Sequence, residues 1–171
     1  MVRSDIPGLY RMESHSNRFI KINIIYCSMF EKILIATDGS PHSQRAAKAG
    51  IDLAKLSGGK VTALHVVDLD RFLGDMSYNI ADKVVEGTKS RMKSEGEAAI
   101  KQVEELAKSA GVPVEKKMAE GHPADEILKA AASMDTVVIG SIGRRGMSKF
   151  LLGSVAEKVV RNSKVPVMVV Y

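Results

Sequence analysis

The segment 112–118 reads as a strand despite its charges, and four short apolar runs, rich in β-branched residues, recur along the chain: 32–37, 60–67, 136–139 and 165–170. Each has the length and composition of a buried strand. Between them the apolar residues change to helical spacing. After Ser40, Pro41 suits a first helical position, and Ala46, Ala47, Gly50, Leu53 and Ala54 recur until Ser57-Gly58-Gly59 stops the helix. A long amphipathic helix carries Met92, Ala99, Val103, Leu106, Ala107 and Ala110 on one stripe, with Glu97/Lys101 and Glu104/Lys108 as exposed pairs, and Gly111 ends it. Pro123 opens a short helix with Asp125 and Glu126 in its first turn and Ile127, Leu128 and Ala131 facing inward; a last helix spans 155–162. Residues 69–79 lose the pattern and read as a loop that folds over a ligand.

The order is βαβαβαβαβ. Strict alternation with short linkers predicts parallel strands joined by right-handed crossovers: a doubly wound, Rossmann-like α/β fold with strand order 3-2-1-4-5 and helices on both faces. In such sheets the ligand crevice opens at the carboxyl ends of the strands, where the winding reverses.

Residues 1–28 mix Arg, Ser, Asn and His without sustained period and read as an extension, either disordered or adding an edge strand over 19–26; residues 29–171 read as one domain. The extension does not read as a signal peptide, because Lys21 and Asn23 interrupt its apolar part. No stretch approaches the roughly 20 apolar residues of a membrane helix. A single cysteine, Cys27, excludes an internal disulfide and any cysteine-built zinc site, so a reducing cytoplasm is the simplest home. The net charge of +5 allows an anionic ligand, but the basic residues are spread among glutamates and aromatic content is only 5%, which argues against nucleic acid.

Candidate chemistry lies at two places that this topology brings together. Gly140-Ser141-Ile142-Gly143 is followed, after nine further residues, by Gly153-Ser154, a G-x2-G-x9-G-S pattern between a strand and a helix. Glycines let a backbone bend sharply and approach an anion, and a helix N-terminus offers N–H groups and a partial positive charge. Ser154-Val155-Ala156-Glu157 also reads as a capping box, with Ser154 as N-cap. Arg144, Arg145 and Lys149 lie inside the loop, as phosphate partners or as solvated side chains. At the other end, the first strand runs through Ala36 and Thr37 into Asp38-Gly39-Ser40, placing a carboxylate at a strand tip, where it can accept from a ribose hydroxyl or base amine or simply close a turn. His65 reads as core-facing, His122 as capping the helix at Pro123, and His15 and His42 as exposed.

This combination resembles the universal stress protein family. The resemblance rests on Ala36-Thr37-Asp38-Gly39-Ser40, Leu64-His65-Val66-Val67-Asp68, Glu120-Gly121-His122-Pro123, the G-x2-G-x9-G-S loop, and the Pro166–Val170 ending. It implies the ATP-binding branch, with Asp38 beside the adenosine, Val66 near adenine, and Gly140, Gly143, Gly153, Ser154 and Val155 around ribose and phosphates. Ala36, Thr37, Ser141 and Arg144 complete the expected site. The expected cofactor is ATP, with AMP and ADP as alternatives, and with Mg²⁺ or Mn²⁺ carried by the phosphates. A homodimer through 165–170, an unblocked apolar edge, is also implied.

The absent motifs restrict the mechanism. There is no G-x-x-x-x-G-K-[ST] loop, no H-x-G-H, and no evident general base or catalytic serine–histidine pairing. The sequence therefore points to a nucleotide-binding regulatory or sensor module; a slow ATPase and a nucleotide-free dimeric interaction module are the alternatives.

Overall fold

A computed structural model describes residues 30–69, 82–143 and 152–171. Its elements are β1 (Lys32–Ala36), α1 (Pro41–Ser57), β2 (Lys60–Val67), α2 (Asp82–Ala110), β3 (Val114–Glu120), α3 (Pro123–Ala131), β4 (Thr136–Gly140), α4 (Ser154–Asn162) and β5 (Val167–Val170). The strands form one sheet in the order β3-β2-β1-β4-β5, every neighbouring pair parallel. The doubly wound sheet expected from the alternating pattern is thus the observed one. The 1–28 extension and all but Leu69 of the 69–79 loop lie outside the described residues.

Side chains alternate across the sheet and divide the core in two. Ile33, Ile35, Val61, Ala63 and Val138 face α1 and α2, where they meet Ala47, Ile51, Val103 and Ala107. Leu34, Ala36, Leu64, Val137 and Ile139 face α3 and α4, against Ile127, Ala130, Ala156 and Val159. β1, buried on both faces, explains its uninterrupted apolar run.

α1 starts where Ser40 Oγ accepts the Ser43 N–H at 3.2 Å, with Pro41 in the first turn, and stops at Gly58, whose φ is +69°. Its small face lets it lie close to the sheet. A Cβ at Gly50 would come within 2.7 Å of Ile35 Cδ1.

Several expected boundaries and faces differ. β3 begins at Val114, not 112, because Val112 N–H still bonds back to the Ala107 carbonyl at 2.9 Å while Gly111, at φ +72°, turns the chain. β5 begins at Val167; the Pro166 carbonyl instead accepts from Val137 N–H at 3.0 Å and Thr136 Oγ1 at 2.9 Å. On α2 the inward stripe is Ala99, Ile100, Val103 and Ala107, and Leu106 points outward at 39% exposure. Lys101 reaches Glu105 at 3.9 Å rather than Glu97, whereas Glu104 and Lys108 pair as expected at 2.9 Å. Among the described residues no helix is long and apolar enough to cross a membrane.

Ile35 is fully buried in the centre of β1. Ile35→Ala is expected to lower unfolding free energy by about 2–5 kcal/mol. Urea denaturation checks it, with the midpoint falling at unchanged slope.

Candidate nucleotide crevice

Both ladders of β1 stop at Ala36, paired with Leu64 on one side and Ile139 on the other. β2 continues to Val67 and β4 to Gly140. The early end of the central strand leaves a gap between its neighbours. That gap is a crevice of about 490 Å³, within the usual range for small-molecule sites.

The chain leaves β1 through a hydrogen-bonded turn. Thr37 N–H donates to the Leu64 carbonyl at 2.9 Å, and the Thr37 carbonyl accepts from His65 Nδ1 at 2.8 Å. A carbonyl only accepts, so Nδ1 carries the proton. Asp38 Oδ1 accepts the Ser40 N–H at 3.0 Å, and Gly39 takes φ +77°. Asp38 is therefore a turn residue, as its blander reading held. It is also a wall of the crevice: its Oδ2 lies 2.8 Å from where a Gly143 Cβ would stand. The strand-tip acid and the glycine loop thus face each other across the gap.

The loop glycines serve close approach, not unusual backbone angles. Neither Gly140, Gly143 nor Gly153 has a positive φ. A Cβ at Gly140 would meet the His42 backbone carbon at 2.9 Å, and one at Gly153 the Ser141 carbonyl at 3.2 Å. His42, expected to be exposed, is half-buried by this packing. Ser141 fastens the loop: its N–H donates to Val170 at 2.8 Å, and its carbonyl accepts the Gly153 N–H at 2.8 Å. Its hydroxyl is fully buried, lines the crevice, and has no hydrogen-bond partner among the described residues.

The N-cap of α4 is Gly153, without a side-chain cap, and Ser154 is the first helical residue. This corrects the expected capping box. The first helical bond, from Glu157 N–H to the Gly153 carbonyl at 2.8 Å, leaves the N–H groups of Ser154, Val155 and Ala156 without a partner among the described residues. All three residues line the crevice. At α3, His122 holds the N-cap position, but its side chain makes no capping bond.

Ala36, Thr37, Asp38, Val66, Gly140, Ser141, Gly143, Gly153, Ser154 and Val155 all line this one crevice. Arg144, with Arg145 and Lys149, lies outside the described residues. The pattern did not single out the α2 wall, where Thr88, Arg91, Met92 and Glu95 close one side, nor Pro123 and Ile127 on the opposite side. No spacing rule tells which turn of a long helix overhangs a sheet end. His65, expected in the core, is buried but also borders the crevice. Among the described residues no group of three or more His, Cys, Asp or Glu could hold a metal ion.

The fold and its switch-point crevice define a doubly wound α/β domain of the kind that holds a ligand above its central strands. The family model described as "Universal stress protein family" matches residues 29–171, and the chain belongs to that family. It is 39% identical to universal stress protein MJ0531 of Methanocaldococcus jannaschii over 148 residues, covering 84% of this chain and 83% of that protein. The solved structure of MJ0577 from the same organism superposes with a TM-score of 0.72 at 28% identity, covering 83% of this chain and 96% of that one. A universal stress protein of Archaeoglobus fulgidus in complex with dAMP shares the fold at 20% identity, with a TM-score of 0.59, over 84% of this chain and 99% of that one.

The α2 wall is tied to the sheet through the last residue of β3. Glu120 pairs with Lys89 at 2.7 Å and Lys93 at 2.8 Å, on turns that also carry Thr88, Arg91 and Met92. Hydrogen bonds from Lys89 and then Lys93 lower its carboxyl to about 2. A carboxylate whose folded value lies below its unfolded one stabilises above the unfolded value and loses that contribution as pH falls toward the folded one. An NMR titration is expected to show the Glu120 carboxyl titrating near pH 2, returning toward 4.5 in Lys89→Gln/Lys93→Gln.

Proposed function

We propose that the crevice binds an adenine nucleotide, ATP foremost, and that the protein acts as a cytoplasmic nucleotide-dependent sensor or regulatory module. The observation that carries this reading is the meeting of Asp38 and Gly143 beside the uncapped N-terminus of α4. Unpartnered helix N–H groups and the orphaned Ser141 hydroxyl suit phosphate oxygens. The apolar stretch from Ala36 through Val66 to Ile139 suits a flat base. The dAMP held by a relative of the same fold supports the adenine class. Mg²⁺ or Mn²⁺ would be carried by the phosphates.

ATP with Mg²⁺, added at about 100 times its dissociation constant to nucleotide-stripped protein, is expected to stabilise the fold by roughly 2.7 kcal/mol. A thermal scan reads this, and no shift with ATP, ADP or AMP would end the proposal. Gly143→Val is expected to abolish binding by filling the gap beside Asp38 and the phosphate space. Asp38→Ala is expected to weaken binding by about 1–3 kcal/mol in a calorimetric titration.

Homodimerisation belongs to the same reading. β5 is an edge strand with no charged residue along it, and Met168 is 39% exposed. Two such edges pairing antiparallel about a two-fold axis would cover each other and leave the crevice mouths outside the interface. Wild-type protein is expected to sediment as a dimer at micromolar concentration and Met168→Lys to shift it toward monomer. A monomeric wild type contradicts the arrangement.

A further inference from the structure

Among the described strands the sheet has two open edges, and they differ in character. β5 carries no charge, whereas β3 carries Glu115, Lys116, Lys117 and Glu120. The Pro113 carbonyl accepts from Val61 N–H at 2.9 Å and Gly121 N–H donates to the Val67 carbonyl at 3.0 Å, so odd-numbered residues along β3 turn their peptide groups toward β2. The even-numbered ones, Val114, Lys116, Met118 and Glu120, turn theirs outward, where no described strand lies. Their side chains share the α2 face of the sheet. Lys116 pairs with Glu104 at 3.3 Å, Glu120 pairs with Lys89 and Lys93, and Val114 and Met118 pack on the core beneath α1 and α2. Between α2 and β3 lies a groove of about 620 Å³ with Ile100 and Met118 in its lining and Glu97, Lys101, Glu104 and Lys116 around them. On the other face Glu115 and Lys117 are exposed. A strand laid along this edge therefore needs one apolar face, toward α2, and one polar face, toward water.

The chain carries such a segment ahead of β1. Ile20, Ile22 and Ile24 alternate with Lys21 and Asn23, the period of a half-buried strand, and residues 19–26 match the seven-residue length of β3 to within one. The chain also enters the fold on the correct side. The Phe30 carbonyl accepts from Ser57 Oγ at 2.8 Å and the Glu31 carbonyl from Lys60 N–H at 2.7 Å, which sets both beside the start of β2. A strand beyond β3 lies two strand spacings from β2, about 10 Å. The four steps from Tyr26 to Phe30 span about 13 Å when extended. So short a link admits only an antiparallel arrangement, because a parallel one would have to return along the whole strand. The charges on β3 discourage the apolar edge of a second copy, but a tethered strand arrives at high effective concentration and keeps Lys21 and Asn23 in water.

We propose that residues 19–26 dock antiparallel on β3 of the same chain as a sixth strand, with Ile20, Ile22 and Ile24 turned into the groove under α2. The charged edge is then closed from within the chain, and β5 is left open to a second copy. The inference is independent of the nucleotide reading.

Amide hydrogen exchange followed by NMR on the full-length protein tests it, because the parity of β3 separates docking from general stability. Lys116 and Met118 are expected to exchange at least a hundredfold more slowly than unprotected amides. In Ile22→Glu/Ile24→Glu, a change outside the core of the 29–171 domain, both should speed up at least tenfold while Lys117 and Ala119, bonded to β2, stay as in the wild type. A nitroxide on Arg18→Cys/Cys27→Ser should broaden Glu120 and Gly121 and spare Val114 and Val170. Fast exchange of Lys116 and Met118 in the wild type, or protection unaltered in the double variant, would overturn the proposal. So would broadening at Val170, which would put the segment on β5, or Lys116 and Met118 protection that vanishes on dilution, which would make the occupant a second copy.

Discussion

The structure depends on the parallel pairing of β1 with two longer neighbours. Its ladders to β2 and β4 both end at Ala36, while the flanking strands run on. A central strand that stops early cannot satisfy the peptide groups beyond its tip. The space must then be closed by side chains or offered to a ligand. Here the turn at Asp38 and Gly39 carries the chain aside into α1, and the gap persists as the crevice. The same strand is buried beyond Lys32 and contributes to both cores, so the rigidity of the fold and the opening of the site share one origin.

The crevice is chemically divided. Strand tips and α3 present an apolar surface from Leu64, Val66, Ile127 and Ile139. The opposite wall, from α2, is polar with Thr88, Arg91 and Glu95, and is tied to β3 through Glu120. The loop end combines backbone N–H groups, a buried hydroxyl and a helix N-terminus. An apolar slab joined to an anion-binding end suits an amphipathic ligand such as a nucleotide better than a wholly apolar or wholly charged one. The N-termini of α1 and α3 suit an anion less. Ser40 already caps α1, and α3 carries Asp125 and Glu126 in its first turn.

Much of this was legible in the sequence because burial and pattern coincide. A strand covered on both faces must be apolar throughout, so the central strands announced themselves, and Ser40, Gly58 and Gly111 marked helix ends by side-chain and backbone chemistry. The ten expected residues that line the crevice were reached through the glycine spacing, the strand-tip acid and the family resemblance together. Tertiary detail was not legible. Leu106 fits a helical stripe as well as Ile100 does, and only the sheet's position decides which is inward. Val112 is apolar enough for a strand but remains bonded to α2. Ser154 suits an N-cap, yet the Gly153–Ser141 bond moves the helix start back by one residue. The glycines of the crevice loop fit tight spaces at ordinary backbone angles, where the sequence suggested sharp bends.

The central claim is that an adenine nucleotide occupies the space above β1. Amide chemical-shift mapping during an ATP titration tests it most directly, because it reports position as well as binding. The account predicts that the largest changes fall on Asp38, Val66, Gly140 to Gly143 and Gly153 to Ala156, with β3 and the outer face of α1 unmoved. Saturable changes confined to residues outside the crevice, or none at millimolar ATP, would contradict it.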